Sequence, residues 1–306
     1  MATHGESQDQ QKKIRRIKQI AERIIGLPTL PTVVAKMIEL VDNPKTSASS
    51  LAKLISSDQA LTAKILKLAN SAYYGFPREI STVNLAIVVL GFNTVKDMGL
   101  SVSVLDAFTD MDDIEHFEMS RFWEHSIGVG VAAKMLAHTF EYRVAGEAFV
   151  AGLLHDVGKL ILNQYLHSDF LAVLKKANQE KRELKDVEIE IIGATHAQVG
   201  AWLAERWRLP RMIVDSIEFH HRIGETNNVS ELVFFTYLAD FLCRRAKIGT
   251  SGNGVEPTLT PEAEEILKKK SIPFSQEDID ILQMNFLVEF EKAQGFIDFI
   301  REPVRE

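Results

Sequence analysis

The fold is decided by the stretch from Gly152 to Leu160, which reads GLLHDVGKL. An apolar run precedes the pair His155 and Asp156, as expected where a buried helix ends and aims an imidazole and a carboxylate at one point. On both sides of this stretch, apolar residues recur at three- and four-residue steps, and we find no convincing alternation of period two. We therefore predict an all-α fold, a multi-helix bundle without a sheet.

Helical segments are predicted throughout the chain. An early helix carries the apolar stripe from Ile14 to Ile24, and later helices follow Ser47 and Asp58, whose side chains are suited to cap helix N-termini. Asn70 to Pro77 is predicted to be a loop. Around the central stretch, the predicted helices run near residues 123–138, 146–154, 160–165, 170–177, 188–192, 196–207, 213–221 and 232–245, and the tail adds helices near 262–269 and 277–296.

Four parts of the chain are predicted, with the main boundary at an acidic cluster. Residues 1–19 form an N-terminal helical extension, 20–114 an N-terminal helical subdomain, 115–247 a metal-binding helical subdomain, and 248–306 a connector with C-terminal helices. The acidic cluster comprises Asp110, Asp112, Asp113 and Glu115. Residues 249–260, GTSGNGVEPTLT, have the composition of a flexible connector.

Composition narrows the class of protein. The 306 residues are 46% hydrophobic and 25% charged, which is ordinary for a globular chain, and the formal net charge is −7. An acidic balance argues against nucleic-acid binding through bulk electrostatics. The single cysteine, Cys243, rules out an internal disulfide and is expected to be a buried thiol. No apolar run approaches the roughly 20 residues of a bilayer span, so we expect no membrane binding. We expect a cytoplasmic protein, and the acidic charge balance leads us to expect no nucleic-acid partner.

Five of the nine histidines stand in suggestive positions, namely His125, His155, His196, His220 and His221. His125 shares a predicted helix face with Val129 and Leu136, so it should point inward. Asp240 lies within the apolar segment FFTYLADFL, where a lone carboxylate is costly unless a cation or donors compensate it. Imidazole nitrogens combined with carboxylate oxygens suit Fe, Mn, Zn or Ni better than Ca or Mg. Taken singly, each histidine also fits an ordinary core or helix-end position.

The order of these residues (H, HD, H, HH, then D) resembles the HD superfamily of metal-dependent phosphohydrolases. His196 and the pair His220/His221 are similar to the larger ligand set of HD-GYP phosphodiesterases. The N-terminal half instead resembles the HDOD family of signalling modules, on the segments LPTLPTVVAKMIEL, SSDQALTAKILKLANSAYYG and ISTVNLAIVVLGFNTVKDMGL. The resemblance covers roughly Ile20 to Asp240. It implies an N-terminal HDOD helical subdomain packed on a C-terminal HD-like helical bundle.

The resemblance also implies a set of metal ligands. By the HD pattern, a first metal would be held by His125, His155, Asp156 and Asp240. By the HD-GYP pattern, Asp156 would bridge to a second metal held by His196, His220 and His221. We expect one or two divalent transition-metal ions, iron foremost, with Mn, Ni or Zn as alternatives. Asp156 and Lys159 are the candidate catalytic residues: Lys159 could offer its charge to a phosphate oxygen, and it could equally be a solvated helix lysine.

Two functions are compatible with this ligand set. HDOD resemblance implies a bacterial signal-transduction module with a protein partner, and a filled metal site does not require turnover because ligation also stabilises a fold. The alternative is a metal-dependent phosphohydrolase or phosphodiesterase acting on a nucleotide or other phosphoester. After His221 the sequence continues RIGET, without the Gly-Tyr-Pro triplet or an adjacent glutamate, which argues against a cyclic di-GMP phosphodiesterase. We favour the regulatory module with a bound metal.

Overall fold

A computed structural model describes residues 32–41, 47–108, 111–142, 145–224, 230–250, 252, 254–270 and 272–301. Within these ranges every regular element is an α-helix, apart from an isolated bridge between Ile114 and Phe117. The all-α prediction is therefore confirmed. The predicted helix from Ile14 to Ile24 and the LPTLP motif of residues 27–31 lie outside the described residues.

The N-terminal part of the described chain is a group of five helices. They are α1 (Thr32–Val41), α2 (Ala48–Ile55), α3 (Gln59–Ala69), α4 (Val83–Leu90) and α5 (Phe92–Ala107). The predicted caps are present: the Ser47 side chain accepts from the Ser50 amide, and Asp58 accepts from the Leu61 amide. Asn70 ends α3, and its side-chain amide and carbonyl both bond to Ile80 backbone atoms, at 2.9 and 2.7 Å. These local bonds fix the loop that follows α3.

The second part is built around a long central helix. It contains α6 (Met119–Thr139), α7 (Ala145–Leu154), α8 (Val157–Tyr165), α9 (His167–Glu180), α10 (Leu184–Ile191), α11 (His196–Arg206), α12 (Arg211–Phe219) and α13 (Glu231–Arg245). Most of α6 is buried on all sides, as expected for a helix at the centre of a bundle. It packs against α7 and α13, while α11 packs against α8 and α12. The ends of these helices converge on the central GLLHDVGKL stretch.

The C-terminal part contains α14 (Pro261–Lys269), α15 (Gln276–Lys292) and α16 (Gln294–Arg301). The sequence predicts one helix over residues 277–296, whereas the structure has two helices that meet at Ala293. The turn at Ala293 allows Phe296 and Ile297 to be buried, and the Phe296 ring lies 5.7 Å from that of Phe149. Both α15 and α16 pack on α6.

The N-terminal group contacts the second part through α5 and α7 and the C-terminal part through α3 and α16. One continuous apolar core links them. None of the helices in the described ranges combines the length and apolar character needed to cross a lipid bilayer. Cys243 is buried, as predicted. The residue limits of the predicted subdomains stay predictions.

Candidate metal centre

The seven predicted ligands come from separate elements of the second part of the chain. His125 lies near the start of α6, and Asp240 lies in the last half of α13. His155 and Asp156 occupy the turn between α7 and α8, His196 is the first residue of α11, and His220 and His221 follow α12. All are buried except His221, which is partly exposed. The fold therefore brings all seven predicted ligands into one region.

One oxygen of Asp156 faces a first group of ligand atoms. Asp156 Oδ2 lies 3.3 Å from His155 Nε2 and 3.9 Å from His125 Nε2. Asp240 Oδ1 is 3.2 Å from the same His125 nitrogen and 3.9 Å from His155 Nε2. These four side chains correspond to the ligands implied for a first metal.

The other oxygen of Asp156 faces a second group. Asp156 Oδ1 lies 3.1 Å from His196 Nε2 and 3.7 Å from His220 Nε2. His221 Nε2 is 3.1 Å from His196 Nε2, so all three imidazoles are adjacent. Within this group the potential ligand atoms lie within 4.8 Å of one another, as they do for His125, His155 and Asp156. Asp156 thus stands between two clusters, each compact enough for one ion.

Hydrogen bonds on the far side of the rings orient three of the imidazoles. His155 Nδ1 lies 2.7 Å from the Gly152 carbonyl, and His220 Nδ1 lies 2.7 Å from the Ile217 carbonyl. Because a carbonyl oxygen can only accept, each Nδ1 carries the hydrogen, so in the neutral ring each Nε2 presents a lone pair to the centre. Metal-binding histidines are commonly fixed in this way.

Glu188, which was not among the predicted site residues, orients the His196 ring in the same way. Its carboxylate lies 2.7 Å from His196 Nδ1 and accepts from the His196 backbone amide at 2.9 Å. Glu188 is fully buried within α10. The available signal was a charged residue on the inward face of a helix, eight positions before the histidine that it supports.

Several inward-facing atoms have no hydrogen-bond partner among the described residues. They are His125 Nε2, His155 Nε2, His220 Nε2 and Asp156 Oδ1. A buried polar atom without a partner costs roughly 1–3 kcal/mol, so a cluster of four is unusual in a stable core. A cation bound to these lone pairs would compensate that cost. The donor set, neutral nitrogens with anionic oxygens, fits a divalent transition-metal ion.

For His220, His221 and Asp156, the electrostatic environment favours the protonation states that metal binding needs. Burial lowers the pKa of His220 and of His221 well below the usual range, and neighbouring histidines lower it further. Burial alone would raise the pKa of Asp156, but His155, Lys159 and His196 hold that pKa well below its usual value. Both histidines are therefore neutral and the aspartate is ionised near neutral pH, as ligands must be.

His196 and Asp240 are also shifted by their neighbours. Burial would lower the pKa of His196, yet Glu188 and Asp156 raise it overall. Burial alone would raise the pKa of Asp240, but His125 and Arg244 bring that pKa below its usual value. Arg244 Nη1 lies 3.7 Å from Asp240 Oδ2, whereas the other oxygen, Oδ1, faces His125 and His155. A guanidinium thus partly balances the acidic side of the centre.

Lys159 points into the centre rather than into solvent. Its side chain is only 2% exposed, and Nζ donates to Asp156 Oδ2 at 2.6 Å. This burial excludes the interpretation of Lys159 as a solvated helix lysine. A charged amine in this position is compensated by the carboxylate that it contacts.

Close contact between two helices brings Asp156 to His196. A Cβ atom on Gly158 would lie 1.9 Å from the His196 carbonyl oxygen and 2.7 Å from the Gly200 amide. Only glycine lets the start of α8 approach the start of α11 so closely. The glycine of the HDVGK motif is thus part of the construction of the site.

Comparisons with known proteins identify the family. A family model described as the HDOD domain matches residues 27–223. A solved HDOD domain protein of unknown function from Geobacter sulfurreducens is 28% identical, with a TM-score of 0.77 over 94% of this chain and 98% of that one. The chain therefore belongs to the HDOD family. The match to the family model ends at residue 223, before Asp240 and Arg244.

Two further relatives define how far this likeness extends. A Shewanella amazonensis protein provisionally described as a phosphohydrolase shares the fold at 22% identity, with a TM-score of 0.72 over 92% of this chain and 97% of that one. An uncharacterized protein of Treponema pallidum is 29% identical over 208 residues, 67% of this chain. The aligned region spans only 39% of that curated relative.

Proposed function

We propose that this HDOD-family chain is a signal-transduction module that binds one or two divalent transition-metal ions in its buried histidine–aspartate cluster. One observation carries the proposal: the Nε2 atoms of His125, His155 and His220 converge on Asp156 without hydrogen-bond partners among the described residues. Buried polar atoms normally have hydrogen-bond partners, and a bound cation would supply the missing interaction for these atoms.

In this proposal, His125, His155, Asp156 and Asp240 hold the first ion. His196, His220 and His221 hold the second, with Asp156 shared between the two. Iron is the first candidate, and Mn, Ni and Zn suit the same ligands. A bound ion would supply positive charge that polarises a phosphoryl oxygen or a bound water. Glu188 would orient His196 toward it through the bond at Nδ1.

A regulatory role is supported by how deeply the cluster is built into the core. Asp156 is 1% exposed and Asp240 is 7% exposed, so ligation there would add directly to the stability of the fold. Such a domain can present a metal-dependent surface to a protein partner of a signalling pathway. The location that we propose is the cytoplasm, a reducing compartment that is compatible with a single free thiol.

The second candidate is a metal-dependent phosphohydrolase or phosphodiesterase acting on a nucleotide or other phosphoester. It is favoured by the buried amine of Lys159, which lies against Asp156 in the middle of the centre. In that function Lys159 would hold a phosphate oxygen, and Asp156 would be the shared ligand on which the chemistry depends.

Elemental analysis of protein purified without chelator tests the metal site. We expect Fe, Mn, Ni or Zn at one or two ions per chain, and a rise in thermal stability when metal is restored to chelator-treated protein. Absence of all four metals near stoichiometry would contradict the proposal.

Turnover separates the two functions. The fully metal-loaded protein is incubated with a panel of phosphoesters and nucleotides, with Asp156→Ala as the comparison. Hydrolysis that disappears in a folded Asp156→Ala variant would establish the enzyme. No turnover across the panel supports the regulatory module.

A further inference from the structure

A cavity of about 240 Å³ lies beside the metal centre, where His125 forms part of its wall. The rest of the wall comes from the end of α13 and from the connector after it. Three cationic side chains line the cavity, namely Arg121, Arg244 and Lys247. We propose that this cavity binds the phosphate group of a small phosphate monoester. The proposal rests on the proposed metal centre, because His125, one of the proposed ligands, lines the cavity.

The charge at the cavity favours an anion. Glu256 is the single acidic side chain in the wall, and it forms a long, exposed ion pair with Lys247 at 3.5 Å. Arg121 is exposed and, among the described residues, makes no ion pair; its only side-chain bond is a weak one to the Gly249 carbonyl at 3.4 Å. This positive surface occurs in a chain whose net charge is −7, so it is a local feature.

Arg244 forms the inner side of the cavity. Its guanidinium contacts the Val255 carbonyl at 2.9 Å and Glu183 at 3.3 Å, which hold it in place. Its Nε atom is buried and has no partner among the described residues. Asp240 and Glu183 balance the charge of Arg244, which therefore mainly shapes the cavity. Among the described residues Arg121 makes no ion pair, and Lys247 pairs only with the exposed Glu256 at 3.5 Å, so these two cations are the ones available to an anion.

The connector is packed closely enough to act as a wall. Gly249 has a φ of 58°, and a Cβ there would lie 2.3 Å from the Arg121 carbonyl and 2.4 Å from the His125 amide. The Thr250 amide donates to the Arg121 carbonyl at 3.0 Å. Glycine is therefore required for the connector to lie against α6 at His125. The described part of the connector therefore packs against α6 and forms one wall of the cavity.

The dimensions select a small ligand. Pockets for drug-sized molecules usually enclose about 300–1,000 Å³, and this cavity lies below that range. A phosphate with a compact organic group fits this volume better than a dinucleotide. Arg121 offers a planar fork suited to phosphate oxygens, and Lys247 adds a point charge.

Calorimetric titration of the full chain with inorganic phosphate and with ribose 5-phosphate tests the site, with ribose as the uncharged control. Chelator-treated and metal-loaded protein are both measured. We expect the ester to bind more tightly than inorganic phosphate, and ribose not to bind. The double variant Arg121→Gln/Lys247→Gln should weaken ester binding by roughly 100-fold, about tenfold for each charged contact. Glu256→Gln should strengthen it by about threefold, because a competing anion is removed.

Lys269→Gln removes an exposed cation from α14, outside the cavity wall, and should leave binding unchanged. Equal binding by wild type and by the Arg121/Lys247 variant would overturn the inference, as would absence of binding by wild type. If binding follows these residues in protein that takes up no metal, the metal centre fails and the cavity site stands. If metal is bound normally but binding ignores Arg121 and Lys247, the cavity site alone fails.

Discussion

The pKa values of two buried aspartates are shifted in opposite directions. Asp156 lies in the candidate metal centre, and Asp97 lies on α5 where that helix packs against α7. Asp97 is 5% exposed and Asp156 is 1% exposed, so the two are almost equally removed from water. Burial raises the pKa of Asp97 to about 6, because Lys96 at 3.2 Å only partly offsets it. The pKa of Asp156 instead lies well below its usual range.

The neighbours of each carboxylate explain the difference. Around Asp156, His155, Lys159 and His196 lower the pKa, and their nitrogens lie 3.3, 2.6 and 3.1 Å from its oxygens. Around Asp97, Glu147 adds a like charge, and Lys96 approaches one oxygen. A buried aspartate is therefore not by itself a sign of a metal site. What distinguishes Asp156 as a candidate ligand is that four imidazole nitrogens lie within 4 Å of its two oxygens.

Removing each carboxylate gives the largest expected contrast. Asp156→Ala should lower metal affinity by more than roughly 100-fold, because even outer-shell partners of metal ligands are worth about 10–100-fold. Asp97→Ala, a change of the same size at a similarly buried position, should leave metal content unaltered. Elemental analysis of both purified variants measures this. Equal metal content in the two would remove the distinction between the sites.

The pH dependence of stability should reveal the raised pKa of Asp97. A carboxyl whose folded pKa is about 6 contributes stability below its unfolded pKa of about 4, and that contribution is lost as the pH rises through 6. Between about pH 4.5 and 7.5, wild type should therefore lose about 2 kcal/mol more than Asp97→Asn.

Urea unfolding of both proteins across this pH range provides the measurement. The titration of the metal centre is common to the two proteins and cancels in their difference. Parallel stability curves for wild type and Asp97→Asn would show that Asp97 does not have a raised pKa.

A smaller effect is expected at Glu188, which contacts the centre only through His196. Glu188→Gln keeps the shape but removes the charge that supports His196 Nδ1, so metal affinity should fall by about 10–100-fold, or about 1.4–2.7 kcal/mol. Competition with a chelating dye measures the affinity. Glu190→Gln, an exposed position on the same helix that pairs with Lys176 and Arg182, is the matched control and should change nothing. Identical affinities for both variants would mean that Glu188 does not tune the site.

Local sequence patterns were sufficient for most of the secondary structure. The caps at Ser47 and Asp58 and the helices around residues 146–154 and 232–245 follow from spacing and from side chains that bond within one turn. The single helix predicted over residues 277–296 was wrong, because the chain turns at Ala293 and buries Phe296 and Ile297.

The candidate site divides in a similar way. The order of histidines and aspartates along the chain predicted seven metal ligands, and all seven side chains lie in one region. The contact of Glu188 with His196 and the burial of Lys159 could not be predicted from the sequence, since each depends on which face of one helix packs against another. The cavity beside His125 depends on residues far apart in sequence, such as Arg121 and Gly249, which are 128 positions apart.

The amino-acid sequence by itself determined the helical class, the helix caps and the types of ligand atom available. These properties depend on interactions within a few residues. Only the tertiary structure decided which oxygen of Asp156 faces which imidazoles, and that Lys159 and Glu188 are buried beside them. Those distances are set by packing between helices far apart in sequence, as where Gly158 lets α8 contact α11.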